Sequence, residues 1–189
     1  MADVSLAPRY PLDELAMPKS PFFSLAEAPP VGRFLFRGDE AARRGCSLGF
    51  RVELPQRLGI AAEEHDRVAL WLGPDEWLLM VGGADPELFS ATIALAIIQS
   101  PHSLVDVSHR QVGIVVKGRN AARALSAGCP IDLRRSAFPV GFATRTLFDK
   151  MEIVLWRREA ESFHVEVWRS FAPHLAAALT EAATGAPNV

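Results

Sequence analysis

Ile114-Val115-Val116-Lys117-Gly118-Arg119-Asn120-Ala121-Ala122-Arg123 decides the fold, because Phe34-Leu35-Phe36-Arg37-Gly38-Asp39-Glu40-Ala41-Ala42-Arg43 follows the same plan earlier in the chain. In both, a short apolar run of strand-forming residues ends at glycine and passes into an alanine-rich helix. A second glycine, Gly45 before Cys46 and Gly128 before Cys129, is expected to stop each helix after about two turns. On this reading the second helix is longer by about one turn.

Outward from these runs the match continues. Val68-Ala69-Leu70-Trp71-Leu72, a turn at Gly73-Pro74-Asp75, and Trp77-Leu78-Leu79-Met80-Val81 read as a hairpin. Its later counterpart is Ile153-Val154-Leu155-Trp156, a charged turn from Arg157 to Ser162, and Phe163-His164-Val165-Glu166-Val167. The last run alternates apolar and polar residues, which predicts a strand with one wet face. Each hairpin feeds a helix: Leu88 to Gln99, with Asp85 as cap and Pro86 in the first turn, and Phe171 to Ala183, with Ser170 as cap.

The predicted fold class is therefore α/β of the α+β kind. Strand-helix-hairpin-helix units, spanning about 31–100 and 105–183, form mostly antiparallel sheets with helices packed on one face of them, in a single duplicated domain over 31–185. Residues 1–30 stand apart as a proline-rich, extended N-terminal arm, holding six of the chain's 14 prolines. Leu6, Tyr10, Leu12, Leu15, Phe22, Phe23 and Leu25 are interleaved among them, so the arm needs a groove to offset its ordering entropy. That groove belongs either to its own domain or to a partner.

Composition excludes several function classes. Of the 189 residues 49% are hydrophobic and 22% charged, with a net charge of −2, which gives no field for nucleic acid or an anionic membrane. The most apolar window, Ile93 to Ile98, is too short to span a bilayer, and Asp3, Arg9, Asp13 and Glu14 break up any secretory leader. Two cysteines make no disulfide framework, and the expected location is the cytoplasm.

No catalytic, cofactor-binding or metal-ligating set emerges. No two of His65, His102, His109, His164 and His174 have the spacing of a helical ligand pair. Glu63-Glu64-His65-Asp66 reads as a solvated turn. Cys46 and Cys129 both read as thiols at helix C-termini, where the dipole opposes a thiolate. In Asp106-Val107-Ser108-His109 the acid and hydroxyl point away from the imidazole on a strand, so they serve backbone groups rather than a relay. Gly82-Gly83-Ala84-Asp85 lacks the order of a nucleotide loop, and Arg134-Arg135 and Arg157-Arg158 read as solvated pairs. Trp71, Trp77, Trp156 and Trp168 lie in or beside the hairpins.

Asp106-Val107-Ser108-His109-Arg110-Gln111-Val112-Gly113, then Gly118, then Gly128-Cys129-Pro130-Ile131-Asp132-Leu133 resemble the gamma subunit family of heterotetrameric sarcosine oxidase. Trp71-Leu72-Gly73-Pro74-Asp75-Glu76-Trp77-Leu78-Leu79 and Arg169-Ser170-Phe171-Ala172 extend the resemblance over roughly Gly32 to Ala183. It implies the fold of the folate-binding domain of the glycine-cleavage aminomethyltransferase, duplicated with strands exchanged between halves. It also implies a non-catalytic scaffold subunit without cofactor, working with alpha, beta and delta subunits in the demethylation of sarcosine to glycine. FAD, FMN, NAD, tetrahydrofolate and zinc are then expected in those partners.

The arm is expected to extend across the large subunit. Tyr10, Phe22 and Phe23 of the arm, with the hairpin tryptophans Trp71 and Trp77, are the expected partner contacts. One alternative is a stand-alone folate-binding one-carbon transfer protein, which would need a pocket carboxylate from Glu152 or Asp149. Another is an interaction module unrelated to an oxidase. Against the folate reading, the strand where folate enzymes carry an acid is Ile153-Val154-Leu155-Trp156 here, with Glu152 only at its entrance.

Overall fold

The computed structural model describes residues 11–12, 15–83 and 86–184. In chain order the elements of the first half are β1 (Ser24–Glu27), β2 (Gly32–Gly38), α1 (Glu40–Phe50), β3 (Ala61–Glu64), β4 (Arg67–Gly73), β5 (Glu76–Val81) and α2 (Pro86–Ala96). The second half holds β6 (His102–Asp106), β7 (Gln111–Lys117), α3 (Ala121–Ser126), β8 (Ala143–Phe148), β9 (Met151–Glu159), β10 (Ser162–Trp168) and α4 (Ala172–Thr184). The order strand, helix, hairpin, helix recurs in both halves, with two strands more in each half than the strand-and-hairpin plan alone provides.

Two five-stranded antiparallel sheets result, ordered β3-β4-β5-β2-β6 and β8-β9-β10-β7-β1. Position by position they are the same sheet. Their fifth strands are traded: β1 precedes β2 in the chain but pairs with β7, while β6 precedes β7 but pairs with β2. Each half thereby supplies an edge strand of the other's sheet, which ties the halves together.

Each sheet carries helices on one face. Phe34, Phe36, Trp77, Leu79 and Val81 pack against Ala42, Cys46 and Phe50 of α1 and against Phe89 and Ile93 of α2. On the second sheet, Ile114, Val116, Leu155, Phe163 and Val165 pack against Leu125 of α3 and Leu175 and Leu179 of α4. A third core, with Leu70, Leu78 and Met80 from one sheet and Ala143, Val154 and Trp156 from the other, holds the sheets face to face. The order of layers is helix, sheet, sheet, helix.

That third core overturns one expectation. The polar side of Phe163–Val167 is not wet: His164 and Glu166 are buried, because a second sheet covers the face left free by the helices. The β9–β10 turn is also tighter than predicted, so Arg157 and Arg158 lie on β9, and Arg157 is buried rather than solvated.

Helix ends differ as well. Asp39 caps α1 by accepting from the Ala42 amide at 2.9 Å, and the helix runs through Gly45 and Cys46 to a left-handed Arg51. Gly45 is a packing residue: a Cβ there would lie 2.7 Å from the Ala96 carbonyl oxygen of α2. The first helix is thus the longer one, and Cys46 lies in its interior, not at its end. The predicted helix from Leu88 to Gln99 is α2, which ends at Ala96, and its predicted cap Asp85 lies outside the described residues.

The arm finds its groove at home. Leu12, Phe23 and Leu25 join the core of the second sheet, and β1 is that sheet's edge strand. Gly118, at φ +111°, lets β7 turn beneath the arm, where a Cβ would stand 2.4 Å from the Phe22 carbonyl oxygen. The described part of the arm is therefore anchored on its own domain.

Candidate functional site

The polar positions of β10 converge with β2 between the sheets. Glu166 is fully buried; it accepts from Arg33 Nε at 2.6 Å through one oxygen and lies 2.7 Å from His164 Nε2 through the other. Arg33 also donates to the Val31 carbonyl at 3.1 Å. Burial alone drives the Glu166 pKa up, but the His164 bond and charge and then the Arg33 charge and bond outweigh it, so the carboxyl sits below its ordinary value. An ionised carboxylate only accepts, so His164 donates its Nε2–H.

Two further ion pairs bridge the sheets, Arg145 to Glu76 at 2.6 Å and Arg158 to Glu63. The Arg33–Glu166 contact selects one stacking of the two sheets, since a slip would leave a buried charge unpaired, while the other two pairs lie nearer the surface. Both oxygens of Glu166 are engaged within the cluster. Its contacts hold the two sheets in register.

Ser108 and Asp106 do the backbone work expected of them. The Ser108 hydroxyl receives the Arg33 amide at 2.9 Å, and Asp106 accepts from the Ser108 amide at 2.8 Å, tying β6 to β2 where the chain crosses between sheets. Among the described residues no three His, Cys, Asp or Glu side chains form a metal-binding group. Burial pushes both thiols up to about 12, with Asp149 adding to the shift at Cys129. Neither cysteine is expected to react with a thiol reagent at pH 8 in the native protein, whereas two thiols should titrate after denaturation; fast native labelling would contradict this placement.

The five expected partner contacts separate. Tyr10 lies outside the described residues. Phe23 and Trp77 are buried in this chain's own cores, and the Trp77 indole donates to the Pro55 carbonyl at 2.7 Å. Phe22 is half-buried, with the Arg119 guanidinium 5.9 Å from its ring. Trp71 is half-buried and borders a hollow of about 350 Å³ together with Asp39, Arg43, Gln56 and Asp75.

Sequence reasoning places α2 but misses its exposed apolar face. Phe89 and Ile93 face inward, yet Leu88 and Leu95 on its other side are 68% and 71% exposed, with Ile98 just beyond and Leu48 of the adjoining α1 also bare. A helix apolar on every face is ordinarily covered on every face. The trace of the exposed face in the sequence is the apolar window from Ile93 to Ile98.

The sarcosine oxidase, gamma subunit family model matches residues 38–185. The chain belongs to the sarcosine oxidase gamma subunit family. Relatives in the family include sarcosine oxidase subunit gamma of Corynebacterium sp. (strain P-1), 32% identical over 64% of this chain and 59% of that one, and that of Arthrobacter sp., 30% identical over 76% and 70%. The match thus spans about three fifths of the first relative's length. A chain of the heterotetrameric sarcosine oxidase from Corynebacterium sp. U-96, in complex with pyrrole 2-carboxylate, superposes with a TM-score of 0.86 at 26% identity, covering 96% of this chain and 98% of that one. The glycine cleavage system aminomethyltransferase T of Bartonella henselae shares the fold at TM-score 0.61 and 12% identity, over 82% of this chain and 44% of that one.

A folate-like fold raises the question of a pterin acceptor. Glu152 is half exposed and lies 3.8 Å from Arg145, and Asp149 sits exposed in a tight turn at φ +51°. Glu166, the buried carboxylate, has both oxygens engaged. None of the three offers a free, enclosed carboxylate, and the gamma-family chain does not fit folate at these positions.

Among the described residues no helix is long and apolar enough to cross a membrane.

Proposed function

We propose that this chain is the non-catalytic gamma subunit of a heterotetrameric sarcosine oxidase, assembling with alpha, beta and delta subunits that carry out the oxidative demethylation of sarcosine to glycine. The observation that carries the reading is the end-to-end superposition on a chain of such a heterotetramer. The buried polar cluster supports a scaffolding role, because its charges are spent on holding the sheets together. A cytoplasmic location belongs to the same reading, in keeping with two free, buried cysteines. FAD, FMN, NAD, tetrahydrofolate and zinc would reside in the partners.

The exposed face of α2 is the surface we assign to the large-subunit contact, with Trp71 as a second anchor. Leu88 and Leu95 touch solvent, so the double variant L88E/L95E should keep the fold within about 0.5 kcal/mol of wild type. Co-expressed with the three candidate partners, it should fail to co-elute with them, while wild type co-elutes and supports full sarcosine turnover. Normal assembly of L88E/L95E would remove α2 from the contact. Undiminished turnover by the partners without any gamma chain would remove the assembly function itself.

A further inference from the structure

Four arginines meet where the end of β9 approaches the start of α3. Arg119, Arg134, Arg135 and Arg157 line a hollow of about 230 Å³, with Phe163 and Glu161. Arg157 forms its buried side. The guanidinium lies 4.3 Å over the Phe163 ring, donates to the Ala160 carbonyl at 2.7 Å and to the Leu133 carbonyl, and keeps an Nε–H without a hydrogen-bond partner among the described residues. No carboxylate among the described residues pairs with it. Burial, and then the charge of Arg135, depress its pKa, as a cation short of counter-charge requires.

The neighbours do not supply that charge. Asp132 is spent on Arg134, whose guanidinium donates to both of its oxygens. Glu161 stands 3.9 Å from Arg135, a loose contact between half-exposed or more exposed groups. Arg119 is exposed and leans on Phe22. Four guanidinium groups against two carboxylates leave two positive charges uncompensated, in a chain whose net charge is −2. The reading of Arg134-Arg135 and Arg157-Arg158 as separate solvated pairs hid this, since only the fold brings Arg119, Arg134, Arg135 and Arg157 to one hollow.

We propose that this hollow binds a phosphate dianion, either free phosphate or the head group of a phosphate monoester. The two unmatched charges equal those of such a group, and planar guanidinium forks suit its oxygens. Arg119 and Arg135 would contact the ligand, while Arg157 supplies field from the buried wall.

The test is titration of the full chain with inorganic phosphate, ribose 5-phosphate, ribose and succinate at constant ionic strength, by calorimetry. Saturable binding of phosphate or the ester, with none of ribose, is expected. Tighter binding of the ester than of inorganic phosphate identifies a metabolite as the source; equal binding identifies free phosphate. Arg119→Ala and Arg135→Ala each remove an exposed side chain and should weaken binding roughly tenfold or more while leaving thermal unfolding unchanged. Absence of saturable phosphate and ester binding, affinity unaltered in both variants, or a preference for succinate overturns the assignment.

Discussion

Glu166→Gln is expected to destabilise the protein by about 3–5 kcal/mol at pH 7. The substitution keeps the shape of the side chain but leaves Arg33, only 4% exposed, as a buried cation without its counter-ion. In a domain of this size the melting temperature should fall by roughly 6–20 °C. The double variant Arg33→Met with Glu166→Leu removes both charges and should be appreciably more stable than Glu166→Gln, because it leaves no unpaired ion between the sheets.

The pH dependence has a definite sign. The Glu166 pKa is lowered on folding, so its contribution is fully present above the unfolded value of about 4.3 and is lost as pH falls through the folded value. The stability gap between wild type and Glu166→Gln should therefore be widest at neutral pH and close progressively below about pH 4. Denaturant unfolding at pH 7, 5 and 3 measures it. A gap absent at pH 7, or one that does not shrink in acid, would mean that the buried pair does not hold the sheets.

The second large effect lies in the arm. Phe23→Ala should cost about 3–5 kcal/mol and Leu25→Ala about 2–5 kcal/mol in the isolated chain, since each empties a place in the core beneath α3 and α4. An arm reserved for a partner would behave differently: the same variants would leave the free chain untouched and weaken only assembly. Chemical denaturation of wild type and the two variants, without any other subunit, separates the cases. Unchanged midpoints would show that β1 is not part of the folded unit.

These two experiments probe the places where local pattern and fold part company. Phe163-His164-Val165-Glu166-Val167 reads as a half-wet strand because alternation reports that two faces differ, not what lies against each. The polar face meets Arg33, which is 133 residues away from Glu166 in the chain. Nothing local to β10 announces it. Gly45 misled for a related reason: beside a run of helix formers glycine reads as a stop, yet here it is the gap through which α2 approaches α1. Phe23 and Trp77 lie in cores that no local pattern announces, and the fold alone tells the exposed side of α2 from its covered side.

What the order of residues determined alone is the duplicated unit, its sheets and helices, the absence of a recognisable catalytic motif, and the resemblance to the gamma subunit family. All of these rest on interactions within a few residues or on patterns repeated along the chain, which linear reading captures. The tertiary structure decided the rest: that β1 and β6 are traded between sheets, that the sheets lie face to face over three ion pairs, and that four arginines share one hollow. Each of these depends on distances between segments far apart in sequence, set by the burial of both sheet faces at once, and no local periodicity carries that information.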